Sequence, residues 1–392
     1  MDIYQTLLII LGIYLLIYII AQAVGVDKVR EKGIEAGTPF FVLWKTERLN
    51  AFLTKMGKKF PRAFFNLGVI VGFGGMGFGF WMFLDNLIKF FIQPEAAGGV
   101  VPLIPGITIN GPQLVYMLIG LAFTLIVHEF AHGLAASKDN IPIKSSGLLF
   151  FIVLFGGFVE PDEEVFENEV GPKSRLRLLA AGSYSNLIWS LFCFLIIVNM
   201  SGILSFGFNV PSGAYIYDVV ADSPGAEALQ IGDVITGLNG TEIETWNAVS
   251  LFMVDAGAGD QLTIDYIRDS QNYTVTISSL AANEANASLG YIGIYGADYW
   301  QPKPGFEILT PMFAFHFQQV VLWTFIIMFS VALFNLLPIP ALDGDKMLSN
   351  ALSMITDDKK KIKYVMWPAR ILSLSIVILS MVMTLILGKG LF

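Results

Sequence analysis

Two histidines one helical turn apart form the pattern in this chain with the clearest chemical meaning. His128 and His132 enclose Glu129 in the sequence His-Glu-Phe-Ala-His, inside an apolar stretch over residues 114–136. Histidines four residues apart lie on one helix face, where both can bind the same Zn²⁺. A glutamate beside the first histidine is the usual general base in metal-assisted peptide hydrolysis. The spacing therefore predicts a catalytic zinc site.

The surroundings of this pattern argue against a chance match. The chain has only three histidines, and two of them belong to the motif. Ionisable side chains are costly inside a membrane helix, so those found there are candidates for function.

The composition indicates an integral membrane protein with a soluble portion. Of its 392 residues, 55% are hydrophobic and 14% are charged, whereas soluble domains carry about 25% charged residues. The single cysteine, Cys193, excludes a disulfide framework within one chain and a cysteine-rich zinc site. We expect lipid around the apolar segments and no nucleic-acid partner.

Six apolar stretches predict about six transmembrane helices. They cover residues 7–24, 64–84, 114–136, 178–198, a fifth segment from about 317, and 371–387. The second stretch is rich in glycine, which favours close helix packing. Pro338 and Pro340 break the fifth stretch just before Leu342-Asp343-Gly344.

The distribution of basic residues orients these helices. Segments 25–63, 172–177 and 359–370 are basic, whereas segment 93–113 has no Lys or Arg and segment 205–300 has only Arg268. Because basic loops stay in the cytoplasm, we expect both termini and segment 205–300 to be extracytoplasmic. His128 then lies about 22 Å along its helix from Gln113, nearer the cytoplasmic face of the membrane.

A catalytic zinc site usually has three protein ligands and one open position. Asp343 is the best candidate for the third ligand, because the prolines before it unwind the helix at the membrane depth of the histidines. Irregular backbone is tolerated there only against protein or a wet cavity. Asp345, Glu160 and Glu163 are the competing candidates.

Together these motifs make the chain resemble the site-2 proteases, zinc metalloproteases that cut substrates within the membrane. The matching elements are the histidine motif, segment 335–344 (Asn-Leu-Leu-Pro-Ile-Pro-Ala-Leu-Asp-Gly) and segment 182–186 (Gly-Ser-Tyr-Ser-Asn). The resemblance implies His128, His132 and Asp343 as zinc ligands and Glu129 as the base. It also suggests that Asn186 and Asn335 position the substrate strand or the developing oxyanion, or else hydrogen-bond between helices. Asp345 departs from the pattern, because many relatives have a second glycine there.

The apolar segment 147–159 is too short to span a membrane and resembles the re-entrant β-hairpin of this family. Such a hairpin could pair with an extended substrate backbone, or be buried without substrate contact.

Segment 213–280 changes to short β-rich runs separated by turns. Ser-Pro at residue 223, Gly-Asp-Val-Ile at residue 232 and Asn-Gly at residue 239 resemble a protease-type PDZ domain. We expect strands near 214–220 and 231–238, a helix over 246–255, and a hairpin over 262–268 and 273–278. The domain could bind peptide ends or filter substrates by size.

The sequence thus predicts a helical multi-pass membrane protein with an inserted α/β domain. Residues 1–204 and 301–392 form the membrane domain, and residues 205–300 form the PDZ-like domain. The expected function is zinc-dependent cleavage of transmembrane protein substrates. The alternatives are a non-catalytic membrane protein that binds partners through its PDZ-like domain and, less well matched, a metal transporter.

Overall fold

A computed structural model of the chain describes residues 3–38, 40–104, 108–109, 111–152, 154–283 and 287–387. The chain divides into two compact units. The first, here called the membrane unit, consists of Met1–Leu195 and Val320–Phe392, and the second, here called the inserted unit, is Ile196–Gln319. The predicted domain limits at residues 205 and 300 stay a prediction.

The helices follow the apolar segments of the sequence. In chain order they are α1 (Ile3–Val24), α2 (Val26–Arg30), α3 (Glu47–Lys59), α4 (Arg62–Ile92), α5 (Pro112–Lys138), α6 (Glu163–Asn168), α7 (Pro172–Val198), α8 (Met200–Leu204), α9 (Trp246–Val254), α10 (Pro311–Leu336), α11 (Asp343–Ser353) and α12 (Lys359–Ile386).

Five of these helices are long and apolar enough to cross a membrane, counted within the described residues: α4, α5, α7, α10 and α12. A shorter apolar stretch, Leu11–Val24, lies in α1. The prediction of a multi-pass membrane protein is confirmed. Several helices are longer than their apolar segments. For example, α12 starts at Lys359 because the Asp358 carboxylate accepts the Lys360 N–H at 2.9 Å and caps the helix.

Glycines on α4 let neighbouring helices approach closely, as the composition of this segment predicts. A Cβ at Gly68 would lie 2.7 Å from Tyr184 Cδ1, and one at Gly72 would lie 2.8 Å from Met347 Cε. This contact brings α4 against α7 and α11. The apolar core of the membrane unit lies here, and Ala131, Ala135 and Met347 are buried in it.

A four-stranded antiparallel sheet belongs to the membrane unit. Its order is β1 (Ile34–Thr38), β2 (Phe41–Lys45), β3 (Ile143–Phe151) and β4 (Leu154–Pro161). The last two strands form the predicted hairpin; Val153, which lies between them in the sequence, is outside the described residues. Strands β1 and β2 were not predicted, because their region of the sequence was predicted only as a basic loop. Gly157 lets β4 lie on α5, since a Cβ there would be 3.1 Å from Ile126 Cα.

The inserted unit contains a six-stranded sheet over one apolar core. Its strands are β5 (Ala214–Val219), β6 (Val234–Leu238), β7 (Thr241–Glu242), β8 (Leu262–Arg268), β9 (Gln271–Ile277) and β12 (Ile294–Asp298); β10 (Ala281–Ala282) and β11 (Gly290–Tyr291) form a separate pair. The order is β12-β5-β6-β8-β9, with β7 beside β6. The predicted strands, turn and helix α9 are present. Strands β10 to β12 were not predicted.

The Gly-Asp-Val-Ile motif has a structural explanation in this unit. The Asp233 carboxylate is fully buried and accepts hydrogen bonds from Arg268 Nε and Nη2, both at 2.7 Å, and from Gln230 N at 2.8 Å. These bonds raise the pKa of the Arg268 guanidinium further above its usual value. The pair joins the start of β6 to the end of β8.

Candidate metal centre

Helix α5 presents both histidines to one point. His128 and His132 are buried, and their Nε2 atoms lie 3.1 Å apart. Gly182 on α7 faces them. A Cβ at this position would lie 2.5 Å from Nε2 of each histidine, so only glycine leaves this space open. Gly182 belongs to a motif of the family resemblance, but this steric role was not predicted from the sequence.

Asp343 reaches the same point from the irregular segment between α10 and α11. Helix α10 ends at Leu336, before Pro338, and Asp343 opens α11. Asp343 Oδ2 lies 3.2 Å from His128 Nε2 and 3.4 Å from His132 Nε2. Ala341 has a positive φ of 77°, a conformation that costs a non-glycine residue energy and occurs often at functional sites.

Gly344 allows this close connection between α10 and α11. A Cβ at Gly344 would collide with the backbone carbonyl of Leu336. The glycine in Leu-Asp-Gly therefore has a steric reason, because it lets the first turn of α11 lie directly against the last turn of α10.

The three residues fit a zinc ion. One ligand atom each from His128, His132 and Asp343 lies within 4.8 Å of the others. Asp343 Oδ2 is buried, and although two histidine nitrogens lie 3.2 and 3.4 Å away, it forms no hydrogen bond of suitable geometry among the described residues. A buried carboxylate oxygen in this position fits a bound cation. His132 Nδ1–H donates to the Leu178 carbonyl at 2.8 Å, so its Nε2 lone pair is free. Two imidazole nitrogens and one carboxylate are donors that zinc accepts.

The competing carboxylates lie outside this cluster in the described structure. Asp345 accepts two hydrogen bonds from Arg370, at 2.6 and 2.7 Å. Glu160 accepts one from Ser145 Oγ at 2.5 Å. Glu163 lines a neighbouring cavity of about 930 Å³. Asp343 as third ligand is thus favoured by geometry.

Glu129 and Asn335 line a cavity of about 250 Å³ that also contains the three candidate ligands. Glu129 Oε2 accepts the Val159 N–H of β4 at 3.4 Å, so the predicted base lies beside the hairpin. Lys346 lines both cavities and was not predicted as a site residue. Asn186 is fully buried against the His128 ring, with its Nδ2 atom 3.2 Å from His128 Nδ1.

Comparison with known proteins identifies the class of this chain. The model of peptidase family M50 matches residues 116–379, which include every candidate residue of the metal centre. Because the match covers more than half of the chain, the protein belongs to peptidase family M50. The predicted family is confirmed.

Three relatives illustrate this membership. An uncharacterized protein of Methanocaldococcus jannaschii is 31% identical over 280 residues, 68% of this chain and 66% of the relative. A membrane-bound transcription factor site-2 protease homolog of Arabidopsis thaliana is 25% identical over 51% of this chain and 39% of the relative. A putative zinc metalloprotease of Fusobacterium nucleatum is 22% identical over 64% of this chain and 86% of the relative. The matches thus span less than two thirds of the first two relatives.

Among solved structures, the PDZ domain of an SdrC-like protein from Listeria monocytogenes is similar to part of this chain. It is 27% identical and the match covers 22% of this chain and 87% of the domain, with a TM-score of 0.20.

Proposed function

We propose that this protein is a zinc-dependent intramembrane endopeptidase that cuts transmembrane segments of membrane-anchored proteins. One observation carries the proposal. His128, His132 and Asp343 bring two imidazole nitrogens and a carboxylate within 4.8 Å of one another, in a cavity that also exposes Glu129. The zinc named in relatives of this family agrees with this donor set.

Zinc held by the three ligands would supply Lewis-acid activation of water and of the peptide carbonyl. Glu129 would accept a proton from the attacking water and return it to the leaving amine. The residue suits this part because it lines the cavity and follows His128 directly on α5. Val159 N–H, which donates to Glu129, would help hold the carboxylate.

The substrate must be unwound before its peptide bond can reach the metal, because a transmembrane helix already uses its backbone hydrogen bonds. The four-stranded sheet offers an edge with which an extended substrate segment could pair, because β4 is its last strand and pairs only with β3 among the described residues. We propose that the substrate strand pairs with β4 beside Glu129. Asn335 lines the cavity and would position the substrate carbonyl.

The basic segments support an orientation for the whole chain. We propose that both termini and the PDZ-like domain are extracytoplasmic and that the site lies nearer the cytoplasmic face. Basic residues cluster near the end of α5 that follows the histidines, where Lys138 Nζ donates to the Lys58 carbonyl. Anionic lipid headgroups would contact this basic side.

Cleavage of a single-span model substrate by wild type and Glu129→Gln tests the proposal. We expect the variant to lose proteolysis and to retain zinc, because an amide keeps the side-chain shape but cannot accept a proton. Activity within about tenfold of wild type, or about 1.4 kcal/mol in the barrier, would contradict the general-base role. A wild-type protein that holds zinc but cuts no membrane substrate would favour the non-catalytic alternative.

A further inference from the structure

Asn186 contacts the nitrogen of His128 that points away from the metal centre. His128 Nε2 faces Asp343 at 3.2 Å, whereas His128 Nδ1 lies 3.2 Å from Asn186 Nδ2. The Asn186 side chain is fully buried, and its Oδ1 atom has no hydrogen-bond partner among the described residues. A buried acceptor without a partner is costly, so this contact needs an explanation.

The chemistry of a metal-binding histidine resolves it. If Nε2 binds the metal, a neutral His128 carries its proton on Nδ1, which is then a donor. The Asn186 NH₂ group is also a donor, and two donors cannot face each other. Rotation of the amide by 180° about its Cβ–Cγ bond exchanges Oδ1 and Nδ2. This one rotation gives the oxygen a partner and gives the Nδ1 proton an acceptor.

The second histidine shows the same arrangement. His132 Nδ1–H donates to the backbone carbonyl of Leu178, also on α7, at 2.8 Å. Leu178, Gly182 and Asn186 are spaced four residues apart, so they lie along one face of α7. This face supplies an acceptor for His132, an open space beside both Nε2 atoms, and a polar side chain for His128.

We propose that Asn186 is a positioning residue whose Oδ1 accepts the Nδ1 proton of His128. This bond fixes the His128 tautomer and holds the ring so that Nε2 faces Asp343. The inference rests on the proposed zinc site, but it gives Asn186 a role different from the contact with substrate that the family resemblance suggests. That role stays with Asn335, which lines the cavity.

Zinc competition with a chromophoric chelator, on the full-length protein in detergent micelles, tests the inference. Asn186→Leu removes the acceptor, and we expect zinc affinity to fall about 10–100-fold, the usual cost of losing an outer partner of a histidine ligand. Asn186→Asp keeps an acceptor that cannot act as a donor. We expect this variant to bind zinc as tightly as wild type or more tightly.

Ser190→Ala is the matched control. Ser190 is buried one turn further along the same face of α7, and its hydroxyl donates to the Leu187 carbonyl. We expect it to leave zinc affinity unchanged. Unfolding of the metal-free variants identifies any general loss of structure. If Asn186→Leu does not fold, Asn186→Asp decides alone.

Two results would overturn the inference: wild-type zinc affinity in a folded Asn186→Leu protein, or a tenfold or greater loss in Asn186→Asp. Neither readout depends on proteolysis. Failure of the wild-type protein to cut any membrane substrate would therefore count against the proposed function, while the zinc affinities would still decide the role of Asn186.

Discussion

Each of the two units buries a carboxylate, and these two carboxylates have different partners. In the inserted unit, Asp233 is fully buried and accepts hydrogen bonds from the Arg268 guanidinium. In the membrane unit, Asp343 Oδ2 faces His128 Nε2 and His132 Nε2 at 3.2 and 3.4 Å. A carboxylate paired with a guanidinium is satisfied within the fold, whereas a carboxylate grouped with two imidazoles is a donor set for zinc. The difference locates the candidate metal centre in the membrane unit.

The largest expected effect comes from removing Asp343. Asp343→Ala deletes the carboxylate that faces both histidines, leaving two ligands for a metal that usually has three in catalytic sites. We expect zinc affinity to fall by more than about 100-fold, beyond the usual cost of losing an outer partner, and proteolysis to be lost. Chelator competition measures the first and substrate cleavage the second.

Glu160→Ala is the control for this prediction, because Glu160 is a nearby carboxylate that hydrogen-bonds Ser145 instead. Full zinc retention in Asp343→Ala, together with zinc loss in Glu160→Ala, would move the third ligand to the hairpin. The membrane unit would then bind its metal in a way that this geometry does not support.

The inserted unit could largely be predicted from local sequence, because most of its elements are formed by residues close in the chain. Asn239 and Gly240 have positive φ values of 48° and 80°, as expected for the Asn-Gly turn between β6 and β7. Strand β12 was missed for the opposite reason. It pairs with β5, the first strand of this sheet in the sequence, whereas β12 is the last. Pairing between strands so far apart in the sequence leaves no local pattern.

In the membrane unit, apolarity predicted the spans, and the four-residue spacing predicted the histidine pair. No local periodicity connects Asp343 to α5; the prolines before it and its membrane depth made it the best candidate, and the family resemblance agreed. The Leu178 carbonyl could not be predicted at all, since every residue has one and only packing selects it. Strands β1 and β2 were missed because β3, the strand that pairs with β2 and joins the two to the rest of the sheet, follows only after α3, α4 and α5.

A smaller effect is expected from the ion pair that ties α11 to α12. Asp345 is 6% exposed and accepts two hydrogen bonds from Arg370. Because Asp343 and Asp345 lie in the same turn of α11, we expect Asp345→Ala to lower zinc affinity by about tenfold or less, within the range for outer partners.

A double-mutant cycle separates this pair from general damage. We expect Arg370→Ala to have a similar effect and the double variant to be no worse than either single one, because groups in contact do not add. Zinc affinity and thermal unfolding are the measurements. Strictly additive effects would mean that the two residues act independently and that α12 does not hold Asp343 in place.

The smallest effect on zinc is expected from removing the inserted unit, a change that compares the two units directly. Its described residues contribute none of the clustered ligands, which are His128, His132 and Asp343. Replacing residues 212–297 with a short Gly/Ser linker should therefore leave zinc affinity within about twofold of wild type, since flexible linkers of this kind impose little structure. A pre-trimmed substrate should still be cut.

Selectivity should change instead. In the proposed orientation, the inserted unit is a folded extracytoplasmic module that can exclude substrates with large outer domains by size alone. Its removal should therefore admit untrimmed substrates that wild type rejects. Cleavage of one transmembrane segment, with and without a folded outer domain, compares the two proteins. A stable, zinc-loaded linker variant that cuts neither substrate would show that the inserted unit is needed for productive binding. Both units would then be required for catalysis, and only the binding of the metal would belong to the membrane unit alone.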